Sequence, residues 1–172
     1  MTNKFPTKIG LLLNEGYNFV QTEYIFTRLQ EEGFQPEIIS VDRNPKLDAE
    51  RWDKTFTASH FLKDSFEVPW ELLILPGGVV GNAEIYRFLR ETYRCGAFVA
   101  AIDTSVNVLL KCGILENKLC SAPRLPFVDI LIEEAGATRS QKSVTLHQRI
   151  LTAEQMVHVP VFILKILEIL GR

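Results

Sequence analysis

Ala97-Phe98-Val99-Ala100-Ala101-Ile102 runs directly into Asp103-Thr104-Ser105 and on into Val106-Asn107-Val108-Leu109-Leu110. Six consecutive apolar residues fit a strand covered on both faces, as strands of a parallel sheet are. The spacing from Ser105 to Cys112 predicts a short helix, and Gly113 stops it. A strand that turns sharply into a helix holds one side chain above the carboxyl edge of its sheet, the arrangement called a nucleophile elbow. Here that side chain is Asp103. Aspartate is also among the best helix N-caps, so the same letters admit a purely structural role.

Working outward, the same alternation recurs. Glu71–Leu75 is a buried strand closed by Pro76-Gly77-Gly78, followed by a helix over Ala83–Cys95 that Gly96 ends. Near the start, Lys8–Leu13 is a strand, Asn14–Asn18 a loop, Phe19–Glu32 a helix stopped by Gly33, and Pro36–Ser40 a second strand. Asp42–Pro69 is polar and irregular, with room for a hairpin. After the elbow come a helix over Phe127–Glu134 and a weak strand or strand pair within Ser143–Leu151. A final helix from about His158 to Leu170 carries the stripe Ile163, Ile166, Leu167 and Leu170, with Pro160 tolerated in its first turn. Strands alternating with helices predict one α/β domain over residues 1–172, doubly wound and flavodoxin-like, with a mainly parallel sheet and helices on both faces.

Composition narrows the function classes. With 172 residues, 47% of them hydrophobic, the chain can build an ordinary core without metal or disulfide support. Its net charge of −2 offers no basic footprint for nucleic acid or anionic membrane. No stretch approaches the roughly 20 apolar residues of a membrane span. Met1–Lys8 is polar and lacks the apolar run of a secretory leader, so a cytoplasmic location is expected. Three cysteines, Cys95, Cys112 and Cys120, contain no CxxC pair and read as free thiols.

In open α/β sheets, sites form at the carboxyl ends of strands. That rule selects Asn14–Gln21, Pro76–Asn82 and Asp103–Ser105. Gly77 and Gly78 can present bare N–H groups to an oxyanion, or can simply make a tight turn. The spacing of Gly77, Gly78 and Gly81 does not match GxGxxG, and the first loop lacks the hydroxyls that cradle a flavin phosphate. A phosphoryl site with magnesium among Asn14, Glu15 and Asp103 would need an acidic pair that is only half present. No cofactor and no metal is expected.

The segments KIGLLLNEGYNFVQTEYIFTRLQEEG, LLILPGG, AFVAAIDTSVNVLLKCGILENK and HQRILTAEQMVHVPVFILKILEIL resemble, in order and spacing, the ThiJ/PfpI family of the class I glutamine amidotransferase-like superfamily. The resemblance implies the flavodoxin-like fold, a Cys-dependent hydrolase, amidase or protease-like activity, and commonly a homodimer. It also implies a reactive cysteine in a pattern such as A-I-C-H-G, a partner glutamate in the first helix, and an oxyanion-hole glycine pair. This chain has Asp103, Thr104 and Ser105 where the pattern has Cys, His or Ala, and Gly; Gln21 stands at the glutamate position, while Gly77 and Gly78 are kept. None of His60, His147 and His158 matches the family's histidine position.

The two substitutions make sense together. A glutamate facing Asp103 would bring two carboxylates together, and Gln21 removes that repulsion while keeping an N–H donor. In the family, an oxidised elbow cysteine becomes a sulfinate that accepts a hydrogen bond from the protonated glutamate. Asp103 facing Gln21 resembles that state made permanent. The resulting expectation is a non-catalytic binding or regulatory homologue, a pseudoenzyme with a small-molecule site around Glu15, Gln21, Gly77, Gly78, Asp103 and Thr104. The alternative is an amidase-like hydrolase or hydratase acting on a small carbonyl, amide or nitrile. Asp103 would serve it as nucleophile or base, with Gln21 beside it and His147 or Glu15 as distant partners. A third reading has Asp103 capping its helix under a lid of Tyr17, Phe19 or Val79.

Overall fold

The apolar runs become the strands of one sheet. The computed structural model describes residues 7–172, so residues 1–6, most of the stretch read as lacking a leader, lie outside it. In chain order the elements are β1 (Ile9–Leu13), α1 (Phe19–Glu31), β2 (Glu37–Ser40), β3 (Lys46–Asp48), β4 (Thr55–Thr57), β5 (His60–Phe61), β6 (Leu72–Leu75) and α2 (Ala83–Arg94). There follow β7 (Phe98–Ile102), α3 (Val106–Lys111), β8 (Leu119–Cys120), α4 (Pro126–Glu134), β9 (Thr138–Arg139), β10 (Val144–His147), β11 (Ile150–Ala153) and α5 (Val159–Ile169).

Seven strands form the central sheet in the order β10-β11-β7-β6-β1-β2-β5, parallel except for β10. The two-residue side-chain period splits each strand between two half-cores. Ile9, Leu11 and Leu13 of β1, with Ala100 and Ile102 of β7, pack under Ile25 and Leu29 of α1 and Phe162, Ile163 and Ile166 of α5. Leu12, Val99 and Ala101 face the opposite way, toward Phe88 of α2, Leu109 of α3 and Val128 of α4. The sheet is therefore doubly wound, as expected, and mostly buried on both faces.

The irregular stretch after Asp42 does hold a hairpin, β3 with β4, and it supplies the edge strand β5. The weak pair near residue 143 is the antiparallel β10–β11, which runs on to Ala153. Polar Thr152 hides that extension in the sequence, although it is fully buried. The paired β8 and β9 are two residues each, too short to show a period. The helix after the elbow starts later than its spacing suggests. Asp103–Ser105 forms a separate 3-10 turn, and α3 begins at Val106 with no side-chain cap. The N-cap role for Asp103 is thereby corrected: the residue lies within the 3-10 turn, and its one bonded oxygen faces Gln21.

Candidate functional site

Asp103 sits at the carboxyl end of β7, beside the central strand β6, with φ +60, a left-handed backbone that non-glycine residues seldom adopt. That bend lifts its side chain off the strand. Its Oδ2 accepts a hydrogen bond from Nε2 of Gln21 at 3.0 Å.

Gln21 reaches this place from the first turn of α1. Asn18 caps that helix by accepting the Gln21 N–H at 3.1 Å. A glutamine three residues after a cap commonly folds back onto the cap's own N–H. Here the Asn18 N–H donates instead to the Gly77 carbonyl at 3.3 Å, which frees the Gln21 amide for the site. Gln21 is fully buried. Its Oε1 accepts the Gly77 N–H at 2.6 Å while its Nε2 donates to Asp103. The opposite amide orientation would set N–H against N–H and oxygen against carboxylate, so the partners determine it. Gly77 must lack a side chain, since a Cβ there would lie 2.6 Å from Gln21 Oε1. Gly78 has φ +99, which a side chain would strain.

The N–H groups of the glycine turn are all occupied by side chains of the same chain. Gly77 donates to Gln21, Gly78 to Thr104 Oγ1 at 3.1 Å, Val79 to Ser105 Oγ at 3.0 Å, and Val80 to Asn14 Oδ1 at 2.9 Å. Ser105 Oγ in turn donates to the Pro76 carbonyl. An oxyanion hole needs free N–H groups aimed at the reacting oxygen, and these four point at acceptors already in place.

The structure thus brings together Gln21, Gly77, Gly78, Asp103 and Thr104. Glu15 lies apart from them. It is exposed, and its Oε2 accepts the Asp48 N–H at 3.3 Å and Asn44 Nδ2 at 3.4 Å, on the hairpin side. The proposed lid residues are also elsewhere: Tyr17 packs edge-on to Phe56, Phe19 stacks on Trp52, and Val79 lies in the core. His60 contacts Glu37 at 2.5 Å, and His147 Nδ1 accepts the Leu119 N–H at 2.8 Å. His158 Nδ1 is buried without a hydrogen-bond partner. Among the described residues no histidine hydrogen-bonds Asp103. Burial pushes the Cys112 and Cys120 thiols up to about 11, and Cys95 is exposed. Among the described residues no cluster of three His, Cys, Asp or Glu is placed to hold a metal, and no helix is long and apolar enough to cross a membrane.

Asp103 opens onto a cleft of about 410 Å³ lined by Pro123, Arg124, Leu125, Gln155, Met156 and Val157. On its other flank, Gly78, Thr104, Asn107 and Lys111 line a smaller cleft of about 280 Å³. A further cavity, about 610 Å³ beside Trp70, Cys95 and Phe98, lies at the amino ends of β6 and β7, away from these groups. Sequence reasoning missed Arg124, which lines the Asp103 cleft, and Glu154, whose side chain pairs with it at 2.9 Å. The carboxyl-end rule points to Glu154 once β11 is extended to Ala153.

The DJ-1/PfpI family model matches residues 7–169. No curated protein sequence matches the chain significantly. Among solved structures, it is similar to a two-domain protein with DJ-1/ThiJ/PfpI-like and ferritin-like domains from Anabaena variabilis (TM-score 0.85, 20% identity, 96% of this chain), of which it spans about half, 48%. It is also similar to a ThiJ/PfpI domain protein from Brachyspira murdochii (TM-score 0.84, 14% identity, 97% of this chain and 98% of that one). Schizosaccharomyces pombe DJ-1 superposes with TM-score 0.80 at 19% identity, over 94% of this chain and 90% of that one. At these identities the neighbours establish the fold, and the family match along nearly the whole length establishes membership: the chain belongs to the DJ-1/PfpI family.

Proposed function

We propose that this protein is a non-catalytic binding or regulatory member of its family, one domain over residues 1–172, holding a fixed Asp103–Gln21 pair where thiol-bearing members hold a redox-active pair. The observation that carries this reading is the saturation of the glycine turn: the N–H groups of Gly77, Gly78, Val79 and Val80 all donate to side chains of the chain itself. A carbonyl substrate would have to displace Thr104 or Gln21 to be polarised there. The Gln21 amide also needs no proton to donate, so the pair keeps its geometry whatever the oxidant level.

The hydrolase or hydratase alternative is not favoured. A carboxylate nucleophile needs a partner acid or base within hydrogen-bond reach, or one water away. Gln21 is the one side chain bonded to the Asp103 carboxylate among the described residues, and it can be neither.

The same proposal includes a small-molecule ligand around Gln21, Gly77, Gly78, Asp103 and Thr104, a cytoplasmic location, and a homodimer. Exposed Val20 and Tyr24 on α1 and Val161 and Leu164 on the adjoining α5 support the last of these. One purified sample tests the reading. Sedimentation equilibrium is expected to give the mass of two copies, and a monomer at micromolar concentration removes the dimer. Assays on small esters, amides, nitriles and dicarbonyl compounds are expected to show no rate above an Asp103→Ala control. Turnover that disappears in that control overturns the non-catalytic reading.

A further inference from the structure

The cleft beside Asp103 has a charge pattern of its own. Its lining includes two charged residues, Asp103 and Arg124. Arg124 Nη2 donates to Glu154 Oε1 at 2.9 Å, and the Glu154 side chain is only 7% exposed. The Arg124 side chain is 57% exposed, but the buried carboxylate holds its inner edge, because separating them would strand a buried charge. Arg124 and Glu154 therefore cancel. Gln21 is a neutral donor that occupies Oδ2 of Asp103, and Oδ1 accepts no hydrogen bond among the described residues. The cleft is left with one uncompensated negative charge and one free acceptor.

Around that charge the walls are hydrocarbon. Leu125, Met156 and Val157 are 42%, 48% and 71% exposed. The wall that carries Arg124 and Leu125 is already fixed. Arg139 donates to the carbonyls of Ala122 at 2.6 Å and Pro123 at 3.3 Å, and Ser121 is tied to Thr145 at 2.7 Å and to Thr152 at 2.8 Å. Little ordering of that wall remains to oppose binding.

Resting on the reading of this site as one that binds without turnover, we infer that the cleft takes a small organic ammonium ion. Its N–H groups meet the Asp103 carboxylate and its alkyl body lies on Leu125, Met156 and Val157. An anion of the same size is repelled by Asp103 and finds the Arg124 charge already offset by Glu154. A neutral alcohol gains the apolar contact without the ion pair.

Calorimetric titration in amine-free phosphate buffer with n-hexylammonium, n-hexanol and hexanoate tests the inference. Hexylammonium is expected to bind at least tenfold more tightly than hexanol, and hexanoate more weakly than either. Asp103→Asn keeps the volume and tolerates the left-handed backbone, so it should fold. It should bring hexylammonium down to the hexanol level and leave hexanol unchanged. Hexanoate binding best, hexylammonium binding unaltered by Asp103→Asn, or no binding of hexylammonium overturns the inference. The turnover assay is independent of all these outcomes, so the cation preference and the non-catalytic reading fail separately.

Discussion

Gln21 does with one amide what two residues would otherwise have to do. It satisfies the buried Gly77 N–H and it holds the Asp103 carboxylate. Gln21→Glu keeps the acceptor for Gly77 but sets a second carboxyl about 3 Å from the first, which raises the proton affinity of the pair. A group whose folded-state pKa is raised contributes fully below its unfolded value and loses that contribution as pH rises. The variant's thermal midpoint is therefore expected to match the parent's near pH 4 and to fall below it toward pH 7. The deficit should be about 2 kcal/mol, roughly 4–8 °C for a chain of this size. A pH-independent difference between the two proteins counts against direct contact of the carboxyls. At this scale the meeting of Gln21 with Asp103 was legible in the sequence, because each stands at a definite place, one in the first turn of a helix and the other at a strand end. The role of Thr104 as acceptor was not, since a hydroxyl beside an elbow reads equally well as a ligand-facing group. Glu15 misled because loop carboxylates carry no sign of which way they turn.

Among the elements, β5 is held in part by electrostatics. It is two residues long and lies at the sheet edge, paired to β2 through Ile39 with His60 and Ser40 with Phe61. Glu37, at the start of β2, receives Lys8 Nζ at 2.6 Å and His60 Nε2 at 2.5 Å. Burial pushes the Glu37 carboxyl up, but the hydrogen bonds and charges of Lys8 and His60 outweigh it and hold it below the usual range. A depressed carboxyl stabilises the fold above its unfolded value, near 4.3, and that contribution is lost as pH falls through its folded value. The protection factor of Phe61 against hydrogen exchange, which removes the intrinsic pH dependence of the amide, is accordingly expected to fall below pH 4 in the parent, and Glu37→Gln should flatten the dependence. The pair is partly exposed, so the effect should not exceed about 1 kcal/mol. Equal acid sensitivity in both proteins discards this account. Elements with a long apolar run, such as β1, β6 and β7, were legible almost to the residue. β8 and β9 left no trace, and the early end read for β11 followed from polar Thr152, whose hydroxyl bonds inside the core to Ser121.

The whole molecule divides into two half-cores separated by the sheet, and strand-helix alternation sufficed to anticipate that division. It could not anticipate which residues meet across distant loops, such as Arg124 with Glu154, because their pairing is made by the third dimension alone. Cys112 and Cys120 belong to the same half-core, while Cys95 is outside. Iodoacetamide at pH 8 is expected to label Cys95 alone in the folded protein, as read by mass spectrometry. Cys112 and Cys120 should react together, and only as denaturant carries the chain through global unfolding. Early reaction of Cys120 by itself would locate a weakly held region around β8.

The left-handed backbone at Asp103 bears on how such a protein drifts over time. An L-residue there forgoes about 1 kcal/mol that glycine would recover. Replacement by glycine would recover that strain but strand the buried Gln21 donor, which costs at least as much, so the strained elbow and the amide beneath it hold each other in place.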